Sequence, residues 1–232
     1  MHVAHLVALA SGTSSPRSLP PRVVLPPIVR RVSSPSLSLH AQEPLIASCA
    51  SDFAKASHSL VMAARALSES PQLEQAASRL TEGGGALSAA SISFAEVSHL
   101  LSEESQDWEA ATSPLSEAAG QLRTAGSSLS PIDGGALGRS ALELETASCT
   151  TGCISLAAAA GPDLQAAGDD IEVAGAAVMA YGETLLTSTA STAAHGAAAK
   201  QFNAAGSALK SAGSLLREAG SLLENGKLYS NM

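Results

Sequence analysis

Aromatic and charged residues are scarce in this chain of 232 residues. Phe, Tyr and Trp supply 3 % of the positions, and Asp, Glu, Lys and Arg supply 15 %. Alanine makes up much of the 45 % hydrophobic fraction. Because an alanine side chain buries little apolar area, a protein of this composition needs many close contacts between its elements. The composition therefore predicts a thin, tightly packed core.

Several functional signatures are missing, and their absence excludes classes of protein. The longest uncharged run, residues 146–162, is too short and too rich in Ser, Thr and Gly to cross a bilayer. There is no Gly-x-Ser-x-Gly elbow, no His-Glu-x-x-His motif and no dinucleotide-binding fingerprint. No Lys-Ser or Lys-Thr follows Gly83-Gly84-Gly85, so these glycines do not form a phosphate loop. We therefore predict no membrane span, no enzymatic activity, and no catalytic residue, cofactor or metal.

Acidic residues are also missing from residues 1–42, which are rich in Ser and Pro and contain the arginines Arg17, Arg22, Arg30 and Arg31. This composition is typical of an organelle transit peptide. The repeated prolines oppose the long amphipathic helix of a mitochondrial presequence, which favours a plastid, with a mitochondrion as the alternative. A secretory signal over residues 3–10 and a disordered tail that is never removed are the other interpretations.

The acidic residues all lie at or after Glu43, and the whole chain has a formal net charge of −8. A negatively charged body repels phosphate backbones and anionic membrane surfaces. We therefore expect no nucleic-acid partner. Peripheral association with a membrane stays open, although the polar helix faces lack the Lys and Arg that such helices carry.

The strongest pattern is a large apolar residue at every seventh position, which we call the seam. A seven-residue period is typical of helices that keep one face turned toward a neighbour. Small residues follow three and four places later, so the seam predicts helices that pack closely. Its members are Ile46, Phe53, Leu60, Leu67, Leu73, Leu80, Leu87, Phe94, Leu101, Trp108, Leu115, Leu122, Leu129, Leu164, Ile171, Val178, Leu185, Phe202, Leu209, Leu216 and Leu223.

Six glycines repeat in the same register, each four places after a seam residue. A glycine inside a helix costs about 1 kcal/mol relative to alanine, so a repeated glycine predicts that two backbones approach closely there. The alternative is that a biased composition inserted glycine wherever nothing forbade it. The six are Gly168, Gly175, Gly182, Gly206, Gly213 and Gly220.

Proline-containing pairs suggest where helices begin, because Ser caps a helix and Pro fits its first turn. Taking Ser70-Pro71, Ser113-Pro114, Ser130-Pro131 and Gly161-Pro162 as starts predicts helices over 45–69, 71–105, 114–129, 139–160, 162–188 and 194–225, the last ended by Asn225-Gly226. Three consecutive glycines at 83–85 should loosen or bend the second helix.

Similar segments recur along the chain, including SPQLEQAASRL, SPLSEAAGQLRTAG and GPDLQAAGDDIEVAG. They suggest a duplicated helical hairpin, with halves at 43–130 and 131–232, although alanine-rich sequence also produces chance echoes.

Three cysteines are the first candidates for chemistry. Cys149 and Cys153 lie four residues apart, hence on one helical face, and Cys49 lies in the first predicted helix. A redox or metal role is open for the pair, but a zinc site wants four ligands and no His or Cys cluster accompanies them. We therefore interpret all three as small buried residues.

Glu96 and His99 have the Glu-x-x-His spacing of di-iron carboxylate bundles, but the chain has no second copy of that spacing. They also fall off the seam, so we predict a solvated pair. Trp108 and Tyr181 lie in or near the seam and are predicted to anchor the core.

Together these patterns predict an all-α, antiparallel bundle of about five or six helices over 43–232, with Leu and Ala/Gly seams, after an unstructured leader at 1–42. The function favoured is a non-enzymatic structural or assembly subunit of a larger organellar complex, with protein partners. The alternative is an amphipathic helical protein that binds lipid or another hydrophobic ligand. The sequence matches no family specifically enough to name.

Overall fold

The computed structural model describes residues 42–102, 108–151, 159–187 and 193–230, with side chains as far as residue 225. The described residues form six α-helices, a 3-10 helix between the first two and two further 3-10 residues at 159–160, and they contain no strand. The fold is therefore all-α, as predicted. The helices are α1 (Gln42–Ser68), α2 (Glu74–Ser102), α3 (Trp108–Asp133), α4 (Ala136–Thr151), α5 (Gly161–Thr187) and α6 (Ala193–Ser230), with the 3-10 helix at Pro71–Leu73.

Each helix packs against the next one along the chain, and α6 packs against α1. The contacts therefore close into a cycle. The neighbours run antiparallel: the Ser98 hydroxyl near the end of α2 donates to the Glu43 carbonyl at the start of α1, 3.2 Å away. Between α4 and α5, the Arg139 guanidinium is 3.0 Å from the Asp170 carboxylate. The prediction of an antiparallel bundle is confirmed.

The seam forms the core of the bundle. Every seam residue is buried except Leu73 and Leu185, which are half-buried. On α4, Leu137 and Leu144 are buried at the same seven-residue spacing, one place out of step with the earlier seam. The offset falls where the turn between α3 and α4 interrupts the register, and for this reason the sequence pattern did not include them.

Two predicted helix starts are wrong. The helix α3 begins at Trp108 and continues through both Pro114 and Pro131 to Asp133. A proline inside a helix removes one backbone hydrogen bond. Here the seam residues Leu115 and Leu129 are buried beside the two prolines, and their packing keeps the chain helical. By contrast, the starts predicted at Ser70-Pro71 and Gly161-Pro162 agree with the 3-10 helix and with α5.

Two other predicted boundaries also move. The backbone of α6 stays helical past Asn225 to Ser230, and α2 is one continuous helix through Gly83, Gly84 and Gly85. Packing explains α2, because Gly83 and Gly84 are buried against neighbouring helices. Residues 1–41 and 152–158 lie outside the described part, so the leader and the end predicted for the fourth helix are not tested. The duplication stays a prediction, and its midpoint falls three residues before the end of α3.

The true break between α3 and α4 is a turn built by Asp133, Gly134 and Gly135. Both glycines have positive φ, 61° and 78°, a region that glycine reaches without a steric penalty. The buried Asp133 carboxylate accepts hydrogen bonds from the backbone N–H groups of Gly135, at 2.9 Å, and Leu137, at 3.0 Å. This aspartate therefore caps the start of α4.

We expect Asp133→Ala to lower the free energy of unfolding by about 1–2 kcal/mol, because the capped N–H groups lose their acceptor. Urea denaturation followed by circular dichroism measures the change. The control is Glu117→Ala on the exposed face of α3, which should stay within about 0.5 kcal/mol of the parent. Equal stabilities for the two variants would contradict the capping role.

Candidate functional site

A very close backbone contact joins α5 and α6, where glycines from the two helices meet in pairs. A Cβ built on Gly168 would lie 2.5 Å from the Gly213 carbonyl oxygen, and one built on Gly213 would lie 2.5 Å from the Gly168 carbonyl oxygen. The same reciprocal contact joins two further pairs, seven residues away in each direction, Gly161 with Gly220 and Gly175 with Gly206. Only glycine fits these positions, and its Cα hydrogens face the opposite carbonyl oxygens in the manner of weak Cα–H···O bonds.

Glycines outside such contacts provide a comparison. Gly85, Gly120 and Gly196 would meet nothing within 4 Å if they carried a Cβ. The six glycines predicted from the heptad register all make close contacts. Five of them belong to the three pairs, and a Cβ on the sixth, Gly182, would lie 2.9 Å from the Phe202 Cβ. Compositional bias therefore does not account for the six, and close backbone approach does.

Charged side chains border the glycine contact and fix its register. The Arg217 guanidinium on α6 lies 3.1 Å from the Asp169 carboxylate and 3.0 Å from that of Glu172, both on α5. The Gln165 amide donates to the Glu224 carboxylate at 2.9 Å. Pairs this exposed add little to stability. The interaction between the two helices therefore comes mainly from the close glycine contact and from the buried seam residues of both helices.

A polar contact joins the first and last helices. The Asp52 carboxylate on α1 accepts a hydrogen bond from the Ser211 hydroxyl on α6, and its other oxygen lies 2.6 Å from the Lys55 ammonium. Asp52 is 8 % exposed, so this carboxylate is held out of water with both oxygens paired. Sequence reasoning missed the contact, because nothing in the heptad pattern pairs two residues 159 positions apart.

The cysteines do not form one site. Cys49 is buried on α1, as predicted, but Cys149 is exposed, so that prediction is wrong. Cys149 lies five residues after Leu144 and thus points away from the seam of α4. It borders a wide, open groove with Glu109 and Glu117. Cys153 lies outside the described residues.

The Cys49 thiol is poorly reactive in the folded protein. Burial raises its pKa, and the negative charge of Asp52 raises the pKa further. Since the thiolate is the reactive form, a thiol with a raised pKa reacts slowly with electrophiles.

We expect iodoacetamide to alkylate Cys149 rapidly in the folded protein and Cys49 only after unfolding, as read by mass spectrometry.

The free energy of unfolding should also depend on pH through Cys49. The folded pKa of Cys49 exceeds the unfolded value of about 8.5, so its contribution is present below that pH and falls by up to about 1.4 kcal/mol per pH unit above it. Cys49→Ala should flatten this alkaline slope, while Cys149→Ser should retain it. Rapid alkylation of folded Cys49 would contradict the burial argument.

The other residues singled out from the sequence, Glu96, His99, Trp108 and Tyr181, do not form a common site. Glu96 and His99 are both exposed on α2. Within the described ranges, no three His, Cys, Asp or Glu residues lie close enough to share a metal ion. Trp108 is buried, as predicted. Tyr181 is half-buried and meets the Phe202 ring edge-on, with centroids 5.1 Å apart.

One cavity lies where α2, α3 and α5 converge, with a volume of about 160 Å³. Leu80 and Tyr181 line it, together with residues from the start of α2 and the end of α3: Gln75, Ala76, Arg79, Ser128, Pro131 and Ile132. No sequence motif indicated this cavity, because its lining comes from three separate helices.

No protein-family model, no curated protein and no solved structure matches this chain. Among the described helices, none combines the length and the apolar character that a bilayer crossing requires.

Proposed function

We propose that this protein is a non-enzymatic structural or assembly subunit of an organellar protein complex, in a plastid rather than a mitochondrion, and that it acts through helix packing. The observation that supports this best is the closed cycle of helix contacts, in which nearly the whole seam is buried within one chain. The 27-residue helices α1 and α5 each span about 40 Å, a length suited to spacing other subunits.

Contacts with partner proteins would use the outer faces of the helices, since the seam is already occupied. Four large apolar side chains lie on these faces and are more than half exposed: Ile92 on α2, Leu142 on α4, and Val173 and Leu186 on α5.

Lipid binding is the competing function, and it would require the bundle to open. The seam would have to leave the bundle and lie on a membrane, which would break the paired glycine contacts of α5 and α6. The acidic chain also lacks the basic faces that such helices use. The closed bundle therefore favours the structural role.

Native gel electrophoresis of extracts from cells that express the tagged full-length chain tests the proposal. We expect the tagged protein to migrate well above its own 23.1 kDa, together with the same proteins in a fixed ratio after affinity purification. Migration at its own mass, with no co-purifying protein, would overturn the structural role. Binding to lipid vesicles with a change in helicity would support the alternative instead.

The organelle is tested separately, by fusing residues 1–42 to a fluorescent reporter. We expect the fusion to enter plastids, and terminal sequencing of the mature protein should locate the cleavage point. Import into mitochondria would show that residues 1–42 direct the protein to that organelle instead of to a plastid. A reporter that stays in the cytosol, with Met1 retained, would refute the transit peptide.

A further inference from the structure

We propose that the cavity between α2, α3 and α5 binds a small carboxylate with a flat or compact apolar body. The site is independent of the proposed structural role, because it uses none of the glycine contacts and none of the outer apolar side chains. The cavity opens to solvent on one side, and its volume of about 160 Å³ is enough for a single aromatic ring.

The apolar part of the ligand would meet a preformed surface. Leu80 is almost fully buried and forms one wall, and Pro131 and Ile132 in the last turn of α3 form another. Tyr181 lines the cavity from a third helix, α5. Its edge-on contact with Phe202, at an interplanar angle of 73°, fixes the ring orientation. Such a concave, mostly apolar surface with a few polar groups is typical of small-molecule sites.

The charge of the site favours an anion. Arg79 lies at the rim on an exposed face of α2, and it makes no ion pair or hydrogen bond with any residue in the described part of the chain. Three other arginines of the bundle, Arg123, Arg139 and Arg217, are already engaged with a carboxylate, and Arg65 on α1 does not line this cavity. A free guanidinium beside an apolar cavity can therefore receive a carboxylate through two parallel N–H···O bonds.

The neighbouring polar groups support the same ligand. No Asp or Glu lines the cavity, so nothing within it opposes a negative charge. The Gln75 amide and the Tyr181 hydroxyl, which makes no hydrogen bond to a described residue, supply further donors. With one guanidinium in a protein of net charge −8, the site suits a single carboxylate better than a phosphate ester.

Isothermal titration with sodium benzoate tests the site on the full chain, with benzyl alcohol and inorganic phosphate as comparison ligands. We expect saturable binding of benzoate and at least about tenfold weaker binding of the other two, because each lacks one half of the recognition. Arg79→Gln should weaken benzoate binding by about tenfold or more, whereas Arg65→Gln, an exposed arginine of α1, should leave the affinity unchanged.

A second variant tests the cavity itself. Ala76→Leu extends a side chain into the space and should abolish benzoate binding, and circular dichroism verifies that the bundle remains helical. No saturable binding of benzoate to the parent protein would overturn the proposal. Equal affinity in the parent and in Arg79→Gln would also overturn it, as would phosphate binding as tight as benzoate. None of these results would affect the native-gel test of the structural role.

Discussion

Gly168→Ala is expected to lower the free energy of unfolding by about 1–3 kcal/mol, although alanine is the better helix former by about 1 kcal/mol. The added methyl group would lie 2.5 Å from the Gly213 carbonyl oxygen and 2.7 Å from the Arg217 backbone nitrogen. Both atoms belong to the backbone of α6, so neither can rotate away. The two helices would have to separate, and the contacts of the neighbouring glycine pairs would weaken with them. Chemical denaturation monitored by circular dichroism measures the loss.

Gly85→Ala is the matched control, because Gly85 lies inside α2 but would meet nothing within 4 Å. This variant should raise the free energy of unfolding by up to about 1 kcal/mol through helix propensity alone. The opposite signs of the two changes are the decisive result. If Gly168→Ala also stabilised the protein, close backbone packing between α5 and α6 would be excluded.

Phe94→Ala is expected to have a larger effect, a loss of about 3–5 kcal/mol. The Phe94 side chain is fully buried on α2, and its ring stacks on that of Phe53 in α1, with centroids 5.3 Å apart and planes within 3° of parallel. The chain has only three Phe, two Tyr and one Trp, so few large side chains are available to fill the space left behind. The remaining alanines cannot collapse into a cavity of that size.

Ile92→Ala provides the comparison from the same helix. Ile92 lies two residues away and is 68 % exposed, so its truncation should change the free energy of unfolding by no more than about 0.5 kcal/mol. Urea midpoints and slopes for both variants give the two values. Similar losses at the two positions would contradict the seam as the core of the bundle.

The fold could be predicted from the sequence because the signals that define it are local and repeated. Leu209, Leu216 and Leu223 share one spacing, and Gly206, Gly213 and Gly220 repeat it. A period of seven fixes which face of a helix is buried, whatever its neighbour is. The predicted seam residues of the described part are therefore buried, except Leu73 and Leu185, which are half-buried, and all six predicted glycines make close contacts.

Boundaries and neighbours depend on distant residues and were less predictable. Pro114 has the signature of a helix start, yet packing on both sides carries α3 through it. Cys149 shares a helix with the buried Leu144, but its angle around the helix exposes it. No local pattern identifies α1 as the neighbour of α6.

The candidate ligand site shows the same limit. Arg79 and Tyr181 lie more than a hundred residues apart in the sequence. Taken alone, Arg79 looks like a surface arginine and Tyr181 like a core aromatic residue. Only the convergence of α2, α3 and α5 gives them a shared cavity. The charge, burial and volume of this cavity depend on the tertiary structure, so sequence periodicity cannot predict them.

Contact between the first and last helices has a consequence for how the chain folds. Helical proteins usually fold quickly because most of their contacts are local. Here the Asp52 and Ser211 side chains lie 159 positions apart in the sequence, so forming their contact closes a very long loop. Neither terminal helix can then peel off without losing neighbours on two sides, and the bundle should melt in one cooperative transition rather than unravel from an end.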